Sequence, residues 1–433
     1  MPVSCSSDRD LRRCLISAPE PQPGTPVPTA AAITRGLRVL LITSAYPTSD
    51  HDARGTFIAS LARALVAEGA QVTVLAPGAA GAPAETTQNG VRVVRANYWI
   101  NRWQTLAQGL AGIVPNLRAR PWLLLQVPLM VLALIRAALR LAPAADVVHA
   151  HWVYPSGIAG VVAARRAGKR LVVTSHGGDL HLSKRLRFLR WIAQWVSRRA
   201  DLCIGVSRAM VSEFRELGVP EERIAFLPLG VDVSPTPRLS IDHSEAFRAF
   251  KEMEGFRIIY AGSLSPRKAV HTLIEAHHML EMRGQRIATL IVGAGPERDR
   301  LHTLSEQLGT GQIIFAGHQP PATIAHWLKL CDVLVLPSRS EGRPLVLIEA
   351  MAHGVPFIAS DIEGPRELAN GGKTGFLFPY GNAELLSALI QRLANEPETR
   401  ERLRSAGLAY VRDEGLTSEI CARRHLLAYD RLR

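Results

Sequence analysis

Two glutamates, Glu341 and Glu349, stand with seven residues between them in the stretch Ser338–Met351, SRSEGRPLVLIEAM. Glu349 lies in a helix-favouring run, Leu345–Ala352, and Glu341 lies in the loop before it. Carboxylates placed this way can accept hydrogen bonds from both ends of a polyhydroxylated ligand. The helix start also offers free N–H groups to a phosphate. A bare pair of glutamates equally suits a surface loop running into an amphipathic helix. A second candidate is Tyr260–Lys268, YAGSLSPRK, where a strand ends at Gly262 and a cationic pair, Arg267 and Lys268, follows Ser263. Such cations stabilise a diphosphate leaving group as its negative charge builds. The alternative is a pair of solvated loop charges.

Other residues offer less by themselves. Gly55 precedes a helix, where a glycine lets backbone amides come close to a phosphate. His176, in SHGGD, directly follows the strand Leu171–Thr174, although a lone histidine is more often structural than catalytic. His149 and His151 (HAHW) share one strand face and have metal-ligand chemistry, but no third ligand at suitable spacing accompanies them, so no metal is expected. Gly293-Ala294-Gly295-Pro296-Glu297 follows a strand but has Arg298 where a dinucleotide fingerprint needs its third glycine, so it reads as a turn.

These positions mostly sit just after short aliphatic runs that alternate with longer helical ones, the pattern of parallel sheets covered by helices. Leu37–Thr43, Gln71–Leu75, Asp146–His149, Leu171–Thr174 and Leu202–Val206 read as strands of a first series. Arg257–Ala261, Ala288–Val292, Ile313–Phe315, Val333–Leu336 and Phe357–Ala359 form a second. Phe57–Glu68, Val270–Met282 and Arg298–Leu308 read as helices. The polar stretch Asp232–Glu254, with Pro235 and Pro237, reads as the linker. The expected fold is α/β: two doubly wound, Rossmann-like domains, 35–232 and 235–415, facing a cleft, behind a Pro-rich leader at 1–34.

Charge narrows the partners. The 433 residues carry 51 Lys plus Arg against 38 Asp plus Glu, a net +13. Residues 35–232 hold 24 basic against 12 acidic side chains, a net +12, while 233–433 hold 24 against 23. The excess therefore belongs to the first half and suggests an anionic partner there. Nucleic acid is not expected, because no recognised nucleic-acid motif accompanies the basic residues. Five scattered cysteines without a C-x-x-C pair fit a reducing compartment rather than a disulfide framework. The N-terminus lacks the apolar core of a signal peptide. Trp122–Ile135 is strongly apolar but interrupted by Pro128 and shorter than a bilayer span, so a buried or interfacial helix is expected. Ser183–Arg199 reads as one basic amphipathic helix, with Leu186, Leu189, Ile192 and Val196 on one face and Trp191 and Trp195 suited to an interface. It suits a membrane surface and equally a helix packed on its own sheet.

The run from Cys331 to Ser360, with its Glu-x7-Glu block, closely resembles the nucleotide-sugar site of retaining GT-B glycosyltransferases, the family of glycogen synthase-like and bacterial cell-envelope enzymes. The resemblance extends over most of residues 37–430. It implies that Glu341 bonds the donor sugar, that Glu349 bonds the ribose, and that Leu345 and Val346 line the donor site. It further implies that Lys268 clamps the diphosphate, near Gly262 and the loop of Gly55, and that Gly317 and His318 lie by the base. His176 takes the place of the family's cleft histidine, near the reacting sugar. The family's C-terminal helix, here Ser418–Leu432, crosses back onto the first domain. Two departures stand out: Ser263 replaces the usual Arg after the glycine, with Arg267 as a substitute cation, and Arg343-Pro344 replaces Phe-Gly.

The resemblance implies metal-independent, cofactor-free, retaining transfer from a UDP- or GDP-linked sugar to an acceptor hydroxyl. Catalytic roles fall to His176, Lys268 and Glu341. With the +12 half facing the acceptor, the expected acceptor is anionic and lipid-linked, at the cytoplasmic face of a membrane contacted through 122–135 and 183–199. The alternatives are a non-catalytic sugar-nucleotide or membrane-binding module and a sugar phosphorylase. The phosphorylase needs a pyridoxal phosphate lysine, for which there is no convincing match.

Overall fold

The computed structural model describes residues 36–49, 52, 54–107, 113, 116–117, 120–233 and 245–433; the leader 1–34 lies outside them. The first sheet contains β1 (Arg38–Ile42), β2 (Gln71–Pro77), β3 (Glu85–Gln88), β4 (Val91–Ala96), β5 (Val147–His151), β6 (Arg170–Ser175), β7 (Leu202–Gly205) and β8 (Ile224–Phe226). Its order is β3-β4-β2-β1-β5-β6-β7-β8, parallel except for the antiparallel pair β3–β4. The second contains β9 (Phe256–Ala261), β10 (Ile287–Val292), β11 (Ile313–Gly317), β12 (Val333–Leu336), β13 (Phe357–Ser360) and β14 (Gly375–Phe378). It is wholly parallel, in the order β11-β10-β9-β12-β13-β14. Aliphatic side chains explain the choice of parallel sheet. Ile258, Ile259, Leu290, Ile291, Leu334 and Val335 are buried completely, as strands covered on both faces must be.

The strand order places the candidate residues. In the second sheet the order reverses between β9 and β12, and in the first between β1 and β5. A crevice opens beyond the strand ends at such reversals. The loops leaving β9 and β12 are those of Gly262–Lys268 and Ser338–Pro344. The loop leaving β1 leads to Gly55.

The C-terminal helix Ser418–Asp430 lies against the helix Thr56–Ala67 of the first sheet's layer, not against the second sheet. Arg423 Nε reaches Glu68 Oε1 at 2.9 Å, and Leu426 and Tyr429 are buried in the first sheet's core.

Three segments differ from the sequence reading. Residues 183–199 are not one helix: Gly178–Arg185 and Arg187–Ser197 break at Leu186, whose φ of −123° and ψ of 111° are extended. The apolar stretch is longer than expected. A helical turn at Pro121–Leu125 runs into the helix Gln126–Leu141 and on to Ala144, making 24 residues, long and apolar enough to cross a membrane by length and composition. Pro128 does not interrupt it, because it sits in the helix's first turn, where its missing N–H has no intrahelical partner to lose. Within the linker stretch, Glu245–Glu252 is a helix that buries Phe247 and Phe250, while 234–244 lie outside the described residues.

Candidate functional site

Glu341 and Lys268 meet. Lys268 Nζ lies 2.5 Å from Glu341 Oε1, and both side chains are almost wholly buried, at 13% and 8% exposure. Burial pushes the Glu341 carboxyl up, but the charges of Lys268 and Arg267 outweigh it and hold the group below its usual range. Gly262 has no room for a side chain, because a Cβ there would lie 2.8 Å from the Tyr260 hydroxyl. That hydroxyl donates to the Ser263 carbonyl at 2.8 Å. Among the described residues the Ser263 hydroxyl reaches only Ser265, at 3.5 Å. Arg267 is exposed, and its guanidinium donates to the Ser340 carbonyl at 3.1 Å, so it ties the two loops together and adds positive charge beside Glu341.

The Gly293–Gly295 turn is what holds the β9 loop in place. A Cβ on Gly293 would lie 1.8 Å from the Gly262 carbonyl oxygen, and one on Gly295 2.2 Å from that of Leu264. The Leu264 amide in turn donates to the Ala294 carbonyl at 2.9 Å. The glycines thus permit backbone-to-backbone contact, not a dinucleotide grip. Gly317 ends β11 at φ 67°, and its carbonyl accepts from Gly293 N at 2.7 Å. His318 follows it, with a buried Nε2 that has no partner among the described residues.

Glu349 sits in the middle of the helix Leu345–Ala352. Burial alone pushes its carboxyl up to about 7. Leu345 packs with Val206, Met210 and Leu229, a small apolar cluster bridging the two sheets, and Val346 packs on the second sheet's core.

The opposite wall of the cleft carries His176. Its ring packs against Phe57 at 4.8 Å and Trp152 at 5.0 Å, and its Nε2 lies 3.0 Å from His151 Nδ1. The two walls touch here, because a Cβ on Gly342 would lie 2.8 Å from the His176 carbonyl oxygen. Gly55 caps the helix Thr56–Ala67 in the left-handed region, with its Cβ position blocked by the Ala45 carbonyl at 2.2 Å. The same helix brings Phe57 to His176.

His149 and His151 are fully buried, and both ring nitrogens of His149 are engaged within the protein. His149 bonds the Tyr429 hydroxyl at 2.6 Å and the Thr174 hydroxyl at 2.7 Å, and His151 bonds His176. No group of three potential metal ligands occurs among the described residues. Burial lowers all four clustered histidines, to about 3 for His176 and about 4 for His425. His176 is therefore a neutral imidazole near pH 7, able to hydrogen-bond a hydroxyl but not to act as a cationic acid. The unfolded chain takes up these protons near 6.5 and the folded chain only well below it, so stability is full above about 6.5 and declines as pH falls toward 4 and 3. Denaturant midpoints at pH 7 and pH 5 check this: the first domain's transition falls at pH 5 in the wild type, and less so in His149→Gln.

Reasoning from sequence missed two features of the site. Arg343, with a side chain only 2% exposed, bonds Glu367 at 2.6 Å and lies over the Phe226 ring, 5.8 Å from its centroid. Arg343 thus forms a clasp between the layers of the two sheets. Tyr429 and His425, from the C-terminal helix, complete the histidine cluster, a contact across 280 residues that local patterning does not reveal.

Two facing parallel-sheet α/β domains of this form define the GT-B class. The chain belongs to the group 1 glycosyl transferases: that family's model matches residues 243–409, and a glycosyl transferase 4-like domain matches 54–230. It is 32% identical over 258 residues to a protein of Salmonella typhimurium assigned to colanic acid biosynthesis as the glycosyltransferase WcaL. That match spans 57% of this chain and 61% of the relative's length. Among solved structures it is similar to sucrose-phosphate synthase from Thermosynechococcus elongatus, with a TM-score of 0.72 at 22% identity over 92% of this chain and 99% of that one. Anabaena HepE in complex with UDP-glucose gives 0.67 at 19% identity over 90% and 98%.

Proposed function

We propose that the chain is a retaining glycosyltransferase that moves a sugar from a UDP- or GDP-linked donor to an acceptor hydroxyl. The observation that carries this reading is the Lys268–Glu341 contact at the strand-order reversal of the second sheet, one short loop from Glu349 and against the His176 wall. In this reading the second domain holds the donor. Glu349 accepts from the ribose, Glu341 accepts from the sugar hydroxyls, and Lys268 and the amides of the helix starting at Leu345 face the diphosphate. The bond from the sugar's anomeric carbon to the diphosphate oxygen breaks as the bond to the acceptor oxygen forms on the same face. The acceptor's proton passes to the departing diphosphate, whose charge Lys268 stabilises. His176 bonds a sugar hydroxyl as a neutral ring. Lys268 and the backbone amides supply the positive charge that a divalent metal supplies elsewhere, so transfer proceeds without one. That HepE was solved with UDP-glucose supports a nucleotide-sugar donor, and WcaL's assignment supports a cell-envelope or polysaccharide product. Titration with UDP and GDP tests the site: affinity falls in Glu349→Ala and Lys268→Ala, and unchanged affinity in both overturns the assignment. Nucleotide binding without transfer from any common donor would favour the non-catalytic alternative.

The acceptor in this reading is anionic and lipid-linked, presented at the cytoplasmic face of a membrane. Its support is the charged first half and the exposed Leu186, Phe188 and Trp191 beside Arg185 and Arg187. Reversing Arg185, Arg187 and Arg190 to Glu is expected to reduce co-sedimentation with anionic vesicles several-fold, since each basic residue contributes on the order of 1 kcal/mol near such a surface. Undiminished binding removes these two helices from the proposal.

A further inference from the structure

A groove of about 640 Å³ lies between the β3–β4 hairpin and the helix Gln126–Leu141. One face of that helix runs along it with a change of chemistry. Leu129 and Leu132 line the end near the helix start, and Arg136 and Arg140 line the other, joined by Arg92 and Arg95 from β4. Leu129 and Arg140 are separated along the helix by about 16 Å, at 1.5 Å per residue. Four arginines meet one carboxylate, Glu85, which is already bonded to Arg92 at 2.7 Å. Arg95 is buried and donates to the Pro47 carbonyl, whereas Arg136 and Arg140 make no ion pair among the described residues.

The apolar end is continuous with exposed hydrophobic surface. Leu129 and Leu132 are 38% and 41% exposed, and Leu125, just before the helix, is 70% exposed. Within the 24-residue stretch, the most apolar 18-residue window is only one-third buried. It packs on β2, β4 and the helix Ser156–Ala167, burying Met130, Leu134, Ala137 and Ala138. Among the described residues its opposite side is left uncovered, and an apolar side that leads into a cationic groove suits a partner with both chemistries.

We propose that this groove binds an anionic phospholipid of a membrane surface, with the phosphate at Arg92, Arg136 and Arg140 and an acyl chain along Leu129 and Leu132. The site lies outside the donor cleft and does not depend on the transferase reading. A water-soluble probe, monomeric dihexanoyl phosphatidylglycerol, separates groove binding from general adsorption. Calorimetric titration of the full chain is expected to show it binding about tenfold tighter than the zwitterionic dihexanoyl phosphatidylcholine. Arg136→Gln/Arg140→Gln removes that preference, Arg136→Lys/Arg140→Lys keeps most of it, and Leu129→Ser/Leu132→Ser weakens both lipids. Both residue pairs are exposed, so thermal midpoints and UDP affinity stay at wild-type values in all three double variants. Equal affinity for the two lipids overturns the proposal, as does phosphatidylglycerol binding that survives Arg136→Gln/Arg140→Gln. Inorganic phosphate binding as tightly as the lipid also overturns it, by showing a free-anion site. Loss of UDP binding in Glu349→Ala with lipid binding intact leaves this inference standing whatever becomes of the donor site.

Discussion

Replacing Lys268 by alanine is expected to lower kcat on the order of 10²–10³-fold, the usual effect of removing one group aimed at charge that develops in the transition state. Because that charge grows only as the diphosphate departs, kcat and kcat/KM should fall together. The free protein adds a second consequence. Lys268 is the partner of a buried carboxylate, and removing one member of a buried pair typically costs about 3–5 kcal/mol because the other is left uncompensated. Here Arg267 stands beside Glu341 and offsets part of that, so the loss should fall at the lower end. A cycle of Lys268→Met, Glu341→Gln and the double variant separates the two effects. The double variant should recover most of the stability lost by Lys268→Met, since no charge remains buried alone, while transfer stays absent. Thermal midpoints read the first outcome and initial rates the second. A Lys268→Ala protein with kcat within about threefold of wild type would rule out any role for this lysine in departure of the leaving group.

The glutamate block, Lys268, Gly55 and His176 were legible in the sequence because each follows a short aliphatic strand, and parallel sheets place function at those ends. The runs LVVTS and VLVL leave little choice of conformation, so the loops after them were correctly located. Long-range partners were not legible. Nothing near His149 in sequence announces Tyr429, and nothing near Arg343 announces Phe226 or Glu367; only the completed fold brings them together. The break at Leu186 was hidden for a different reason. Its apolar spacing continues across the break, and periodicity records which face is apolar without recording whether the backbone stays helical. The length of the Pro121–Ala144 stretch was misjudged by treating Pro128 as a breaker, when proline in a first turn is tolerated. The β3–β4 hairpin escaped notice because Glu85–Gln88 is almost wholly exposed and carries no apolar alternation. Without that hairpin, the basic groove it borders could not be read either.

Glu349 should show the opposite balance from Lys268: the protein without it is more stable and binds nucleotide less well. The folded carboxyl keeps its proton until about pH 7, whereas the ordinary value is 4.5, so the folded state holds an extra proton between these limits. The contribution is therefore fully present below about 4.5 and is lost as pH rises through 7. Above that, ionised Glu349 opposes folding by on the order of 3 kcal/mol. Glu349→Gln has no such charge, so at pH 8 it should be more stable than wild type, and the difference should vanish near pH 4.5. A carboxylate bonding a ribose contributes hydrogen bonds worth about 1.5–3 kcal/mol each, so the same substitution should weaken UDP or GDP binding at least tenfold at pH 8. Wild-type affinity should also rise between pH 6 and 8, with proton release on binding at pH 6, because the nucleotide selects the ionised form. Calorimetry in two buffers of different ionisation enthalpy measures that release. If Glu349→Gln gains stability yet binds nucleotide as tightly as wild type at every pH, the carboxyl is strained for some other ligand and the ribose contact is wrong. If it gains no stability, burial is not what raises the carboxyl, and an unnoticed donor must already be holding it.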